Sequence, residues 1–384
     1  MGAAASLGRI RRLSEQTGVT VDAGVARTPL YDVHVSLGAK MSPFGGFLMP
    51  ISYSGIIEEH NAVRGAVGLF DLSHMGQFVV RGDGAASWLD SLTCNDVGTM
   101  KAGQARYNIF TNDLGGAMDD AIIYRLDGRW LVVVNASNAP KMWAALSKSV
   151  PDGVTIENRT PQSALIALQG PRSYELLQPF TGVDLSAVKY YYAAEGRVAE
   201  IPAEIARTGY TGEDGFELFV AADAAVVLWR QLMADAGRVG MMPAGLGARD
   251  VLRLEAGMPL YGHELEEDIT PLSAGLDWVV KLGKQFRGRD ALAAQAADQH
   301  YLRIAGIVMA GKAPARAGYP VFLGGVRVGE VRSGSPAPSL GGKNIGTVLV
   351  TAEAAKPGTE LEVEIRGQRH ACQVVPLPFY KRKK

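Results

Sequence analysis

Two carboxylates in this chain stand where a carboxylate is expensive. Glu217 lies inside Phe216-Glu217-Leu218-Phe219-Val220, an otherwise apolar run with strand character, and a charge there needs hydrogen-bond donors. Those donors come from a ligand, or from water if Glu217 sits on the outer face of a half-buried strand. Upstream, Gly209, Gly212 and Gly215 recur every third residue and permit a tight backbone that a ligand can approach closely. The second carboxylate belongs to Gly115-Gly116-Ala117-Met118-Asp119-Asp120-Ala121-Ile122-Ile123-Tyr124. Side chains alternate along a strand, so Asp120, Ile122 and Tyr124 share one face and Asp119, Ala121 and Ile123 the other. An acid, an aliphatic and an aromatic on one face suit a pocket for a flat heterocycle. A hairpin with two solvated aspartates at its mouth is the alternative. If both acids entered one pocket, their repulsion would raise a carboxyl pKa.

The elements that position these residues are interleaved helices and strands. Glu58 to Val67, Gly84 to Leu92 and Ala222 to Ala236 read as helices. In the last, Ala225, Leu228, Trp229, Leu232 and Met233 fall at the spacing of a buried stripe. Gly247 to Glu255 also reads as a helix, with Arg249 and Arg253 on one face. Trp130 to Val134 and Ala164 to Leu168 read as buried strands. Beyond about Leu272 the texture changes to short β-like pieces separated by Gly324-Gly325, Gly341-Gly342 and Pro357-Gly358, which predicts a small all-β barrel or roll.

The length of 384 residues allows two or three domains. With 39 basic and 39 acidic residues, no global charge draws the chain to nucleic acid or an anionic membrane. No apolar run reaches the roughly 18 residues of a membrane span. Cys94 and Cys372 form no metal-binding cluster, so no metal is expected, and their sparseness suits a reducing compartment. Met1 to Leu13 carries Arg9, Arg11 and Arg12 and no acid, a composition shared with transit peptides, but Glu15 follows at once. Met1-Gly2-Ala3-Ala4-Ala5-Ser6 fits a loose myristoylation pattern and is read as coincidence. The basic end, Lys381-Arg382-Lys383-Lys384, reads as a solvated tail.

These stretches carry a resemblance. TPLYDVHVSLGAKM (Thr28–Met41), GLFDLSHMG (Gly68–Gly76), GGAMDD (Gly115–Asp120), ALQGP (Ala167–Pro171), GYTGEDGFE (Gly209–Glu217), GLGARDVLRLEAGMPLYGHEL (Gly245–Leu265) and SGSPAPSL (Ser333–Leu340) follow one another as in the T protein of the glycine cleavage system. The chain resembles that family of tetrahydrofolate-dependent aminomethyltransferases from about Thr28 to Tyr380. The resemblance implies an α+β fold of three domains in a cloverleaf around a central folate-binding hole. The expected division is 28–71 with 175–272, then 72–174, then 273–384, after an extension over 1–27. The implied reaction moves the methylene carbon from the aminomethylated lipoyl arm of the H protein to tetrahydrofolate, giving 5,10-methylenetetrahydrofolate, ammonia and the dihydrolipoyl carrier. The implied partners are lipoylated H protein and folate. The chain is expected in the cytoplasm, or in mitochondria of a eukaryote, as a monomer or weak homo-oligomer.

Carried onto this sequence, the resemblance makes Asp120 the principal catalytic acid, beside the reacting folate nitrogen. Glu217 matches the pterin-binding glutamate, able to accept two parallel hydrogen bonds. Tyr107, Tyr210, Asn135 and Met75 match pocket residues, and Arg249 matches an arginine that meets the cofactor's carboxylate or a pocket acid. Ile122 and Tyr124 complete the wall beside Asp120. Asp119 is assigned a structural role, Arg253 an ion pair, and His74 the role of a satisfied structural histidine. Met258 stands where some relatives carry an aromatic. Rival folate-using demethylases differ at the donor entrance, and the flavin-fused ones need a dinucleotide motif absent here. Non-catalytic folate binders of iron–sulfur assembly carry a cysteine signature that this chain lacks.

Overall fold

A computed structural model describes residues 24–298 and 300–382. The transit-peptide and myristoylation readings of Met1–Leu13, and Lys383-Lys384 of the basic tail, lie outside the described residues.

Two sheets and a barrel organise the chain. The first sheet has six strands in the order Ala193–Val198, Ile201–Ala206, Gly215–Ala221, Ser163–Gln169, Val67–Asp71 and Met241–Pro243. The second has five, in the order Ala105–Thr111, Ala117–Leu126, Arg129–Val134, Gly76–Arg81 and Thr155–Asn158. Residues 303–375 close a six-stranded barrel. A three-stranded ribbon pairs Lys40–Phe44 with Phe47–Ser52 and the latter with Ala26–Arg27. The α+β class and the C-terminal barrel match the expectation. The chain after Pro357-Gly358 forms two barrel strands, Glu360–Ile365 and Gln368–Val375.

The alternation of side chains explains why both sheets are covered twice. In Ser163–Gln169, Ala164, Ile166 and Leu168 join one core, while Leu165 and Ala167 join another. The first core packs under the helix Ala225–Ala234, whose stripe Ala225, Leu228, Trp229 and Leu232 is buried with Met233 beside it. Burying each large member of that stripe contributes about 1.5–3 kcal/mol. The second core lies between the two sheets. Val79, Tyr124, Leu131 and Val133 meet Leu165, Ala167, Ala206 and Phe219 there. The far face of the five-stranded sheet carries Phe78, Ala121, Ile123 and Val132 against the helices Ala85–Leu92 and Ala139–Ser147.

The alternation places the two carboxylates. Phe216, Leu218 and Val220 point into the first core, so Glu217 and Phe219 point into the inter-sheet layer. Glu217 is therefore 8% exposed and lies on no solvated outer face. Ile122 and Tyr124 face the same layer from the opposite sheet, and Asp120 follows their parity.

The barrel grips the helix Leu246–Glu255. Arg253, itself buried, donates to Asp250 at 2.8 Å, to Glu264 at 2.9 Å and to Ser333 Oγ at 2.9 Å. Glu255 accepts from His60 at 2.8 Å, Arg64 at 2.8 Å, and the Ser339 hydroxyl and N–H at 2.7 and 2.9 Å. Both cysteines are free and buried, Cys94 beneath the second sheet and Cys372 inside the barrel. Among the described residues no helix is long and apolar enough to cross a membrane.

Candidate functional site

Asp120 and Glu217 approach the inter-sheet layer from opposite sides, each held by hydroxyl donors. Tyr107, on the neighbouring strand, donates its phenol to Asp120 Oδ2 at 3.0 Å. Asn135, at the end of Arg129–Val134, donates Nδ2 to Asp120 Oδ1 at 2.7 Å. Glu217 Oε2 accepts the Tyr124 phenol at 3.2 Å and the Thr208 hydroxyl. Among the described residues no donor is found for Glu217 Oε1.

Tyr210 and Arg249 close the gap between the acids. The Arg249 guanidinium lies 4.7 Å from the Tyr210 ring centre, and its Nη1 is buried without a partner. The Tyr210 phenol donates to the carbonyl of Pro259. Burial pushes the Arg249 pKa down, and Glu217 and Tyr210 beside it oppose that change. Burial raises the Tyr210 phenol; Arg253 opposes it and Asp120 reinforces it. The Tyr107 phenol rises through burial and through the Asp120 charge it bonds. Met75 and Ile122 pack half-buried on the same apolar layer. Asp120, Tyr107, Ile122, Tyr124, Tyr210, Glu217, Arg249 and Met75 thus come together.

Asn135 is brought there too, but its amide nitrogen faces the acids rather than open space. Nδ2 donates to Asp119 Oδ1 at 2.8 Å as well as to Asp120. Asp119 lies on the opposite face of its strand, as its parity requires, and is fully buried. Burial raises both carboxyls, and the Asp120 charge raises Asp119 further.

Three expectations need correction. The glycine series does not open the backbone to a ligand: a Cβ at Gly209 would stand 1.9 Å from Gln169 Oε1, so a protein side chain occupies that space. Gln169 donates to the Thr208 carbonyl at 3.0 Å and accepts from Thr211 at 3.1 Å, which ties the loop to the sheet. His74 is not satisfied. Its ring meets Phe44 edge-on at 5.7 Å and its Nδ1 is buried without a partner. Burial, with a smaller contribution from Arg249, pushes its pKa down to about 4 against the pull of Asp71, so it is neutral at pH 7. The basic tail is not wholly solvated, because Arg382 reaches to 3.8 Å from Asp214 and 5.6 Å from the Tyr190 ring centre.

Four residues of the site escaped the sequence reading. Tyr191 has a left-handed backbone, φ 60°, which is costly for a tyrosine, and its phenol is raised by burial and by Tyr190 and Glu217. The run Tyr190-Tyr191-Tyr192 was its only local signal. Trp278, 57% exposed, lies 5.9 Å from Tyr107 at 30° between ring planes. Thr208 and Gln169 act through hydrogen bonds that no spacing rule encodes. Among the described residues no group of three or more His, Cys, Asp or Glu could hold a metal ion.

The family description "GCVT N-terminal domain" matches residues 30–284, and "Glycine cleavage T-protein C-terminal barrel domain" matches residues 303–381. The chain is 47% identical over 365 residues to an aminomethyltransferase of Moorella thermoacetica, spanning 94% of this chain and 100% of that one. It is 48% identical to an aminomethyltransferase of Deinococcus deserti, spanning 94% and 99%. The crystal structure of glycine cleavage system aminomethyltransferase T from Bartonella henselae superposes with a TM-score of 0.86 at 34% identity, covering 92% of this chain and 98% of that one.

Proposed function

Because the chain belongs to the glycine cleavage T-protein family of aminomethyltransferases, we propose that it carries the one-carbon unit of an aminomethylated lipoyl H protein to tetrahydrofolate. The observation that carries this reading is the pairing of unspent polar atoms across one layer. Among the described residues Glu217 Oε1 has no donor and Arg249 Nη1 no acceptor, with tyrosine rings and Ile122 between the acids. A pterin edge offers two parallel N–H donors to such a carboxylate, and its ring suits such walls. These features fit the folate, and no metal is invoked.

Tetrahydrofolate supplies two nucleophilic nitrogens, each losing one N–H proton as the carbon bridges them. The departing sulfur and amine gain one proton each, so the exchange balances without oxidant or reductant. Asp120 sits where a proton must be taken up and handed on, oriented by Tyr107 and Asn135. Its carboxylate also stabilises positive charge that develops nearby. Glu217, fixed by Tyr124 and Thr208, orients the ring. Tyr107, Tyr124, Tyr210, Ile122 and Met75 exclude water, which strengthens every one of these interactions. On this reading the chain divides into three lobes, but the second ends before Ser163 rather than at 174, because Ser163–Gln169 pairs within the six-stranded sheet of the first. We place the reaction in the cytoplasm, or in mitochondria of a eukaryote.

The test measures ammonia release and methylenetetrahydrofolate formation from aminomethylated H protein, with and without tetrahydrofolate. Folate-dependent turnover is expected in the wild type and its collapse in Asp120→Asn, with folate binding by calorimetry retained. Absence of wild-type turnover with folate still bound would replace this reading by a different one-carbon donor or a non-catalytic folate binder.

A further inference from the structure

Asp119 is fully buried, takes part in no ion pair, and does not share the face of Asp120. A carboxylate so placed is costly, and the surroundings show what it is held for. Its Oδ1 accepts Asn135 Nδ2 at 2.8 Å and Asn138 Nδ2 at 2.7 Å, and its Oδ2 accepts the Asn135 backbone N–H at 3.1 Å. The Asn135 amide has two hydrogens. One goes to Asp119, the other to Asp120 Oδ1 at 2.7 Å, with the Asp120 carbonyl at 3.2 Å. Turning that amide over would set its oxygen against the Asp120 carboxylate, so its orientation is forced.

We infer that Asp119 is a positioning residue for Asp120: a fixed carboxyl group that clamps the Asn135 amide and, through it, holds the Asp120 carboxyl toward the site. The inference rests on the reading of Asp120 as the reacting acid. It gives Asn135 a role other than ligand contact, since its donors are spent on the acids.

The clamp also sets where a proton resides. Three N–H donors lower the Asp119 pKa, but burial and then the charge of Asp120 outweigh them and push it up to about 8. Asp120 has two donors, Tyr107 and the shared amide. The first proton the pair takes up therefore resides on Asp119, beside an ionised Asp120, and burial raises Asp120 as well, so that it takes up the second. The other groups facing the pair do not reverse this. Tyr107 and Tyr210 face Asp120 as neutral phenols, and Tyr261 feels Asp119 with its hydroxyl occupied by Lys141 at 3.0 Å. Lys141 is itself paired with Glu267 at 2.9 Å. A carboxyl that binds a proton more readily than a free acid suits a group that must collect one from a folate nitrogen and release it.

The test titrates the Asp120 carboxyl by carbon-13 NMR of aspartate-labelled protein, assigned with Asp120→Asn, in the wild type, Asp119→Asn and Asn138→Ala. The pH profile of kcat is measured in parallel. Asp119→Asn is expected to raise the Asp120 midpoint by up to about one pH unit, because the freed Asn135 amide no longer holds the ionised form of Asp120. The acidic limb of kcat should move the same way, with KM for tetrahydrofolate within about twofold of wild type. Asn138→Ala keeps both carboxylates, moves the midpoint less in the same direction, and decides the matter where Asp119→Asn does not fold. An unmoved Asp120 midpoint in the folded variants, with kcat falling only in step with the folded fraction, would reduce Asp119 to a structural residue. A moved midpoint in a protein without transferase turnover would uphold the clamp and sink the catalytic reading of Asp120.

Discussion

Replacing Glu217 by glutamine tests the folate geometry most directly. The substitution preserves shape and removes one charge from a site with little water. In the wild type, Oε2 holds Tyr124 at 3.2 Å and Thr208, leaving Oε1 for the ligand. The pterin edge would make its hydrogen bonds to a charged acceptor, each contributing about 1.5–3 kcal/mol. Glutamine keeps one neutral acceptor and presents an NH2 where the second N–H of the ligand arrives. The net loss is then about 2–4 kcal/mol, which weakens binding roughly 30- to 1000-fold at 1.4 kcal/mol per decade. Calorimetry of tetrahydrofolate binding reads this, with thermal unfolding as the control for folding. Thr208→Val removes one of the two donors that orient Glu217 and should cost about 1 kcal/mol, roughly fivefold in Kd. A Glu217→Gln protein that folds normally and binds tetrahydrofolate within about threefold of wild type would refute the assignment of Glu217 to the pterin edge.

Other consequences can be measured separately. Tyr107→Phe removes a donor to the ionised form of Asp120, so the carboxyl pKa rises and the acidic limb of kcat moves up by up to about one pH unit; a downward movement contradicts the bond at 3.0 Å. Burial alone would raise Glu255, but hydrogen bonds from His60, Ser339 and Arg64 win and hold it near about 2. Its folded pKa is below its unfolded value of 4.5, so its contribution is complete above pH 4.5 and lost as pH falls toward 2, about 3 kcal/mol in all. Urea unfolding of Glu255→Gln should lack that part of the acid dependence. Gly116→Ala sets a Cβ 1.8 Å from the Glu267 carbonyl oxygen, a backbone atom that cannot swing aside, and should cost about 1–3 kcal/mol or more by thermal unfolding.

The two acids were legible because a carboxylate in an apolar strand has few reasons to be there. Parity along Asp120, Ile122 and Tyr124 then chose the right face without knowledge of the partner sheet. What parity could not give was the identity of the facing layer. Val67–Asp71 lies between Ser163–Gln169 and Met241–Pro243, so strands far apart in sequence become neighbours. Tyr191 and Trp278 were missed because a left-handed φ and a tilted ring contact are decided by tertiary packing. The glycine series misled for a related reason. It marks a close approach, but the approaching group is Gln169 from the adjoining strand. The barrel was legible from its turns alone, since Gly324-Gly325 and Gly341-Gly342 occupy left-handed positions between its strands.

The grip of the barrel on the helix Leu246–Glu255 carries a consequence for how the chain is born on the ribosome. Arg253 meets Ser333 80 residues further on, Glu264 meets Thr347 83 residues on, and Glu255 meets Ser339 84 residues on. When residues through 302 have emerged, the helix that presents Arg249 has its charged side turned to water. Glu255 and Glu264 gain the hydroxyl donors Ser339 and Thr347 only when the residues beyond 302 arrive. A nascent chain can therefore assemble both sheets while Arg253 and Glu255 still lack the hydroxyl partners that the barrel brings. The barrel contributes none of the acids or tyrosines of the site, and its part is to hold the helix that carries Arg249.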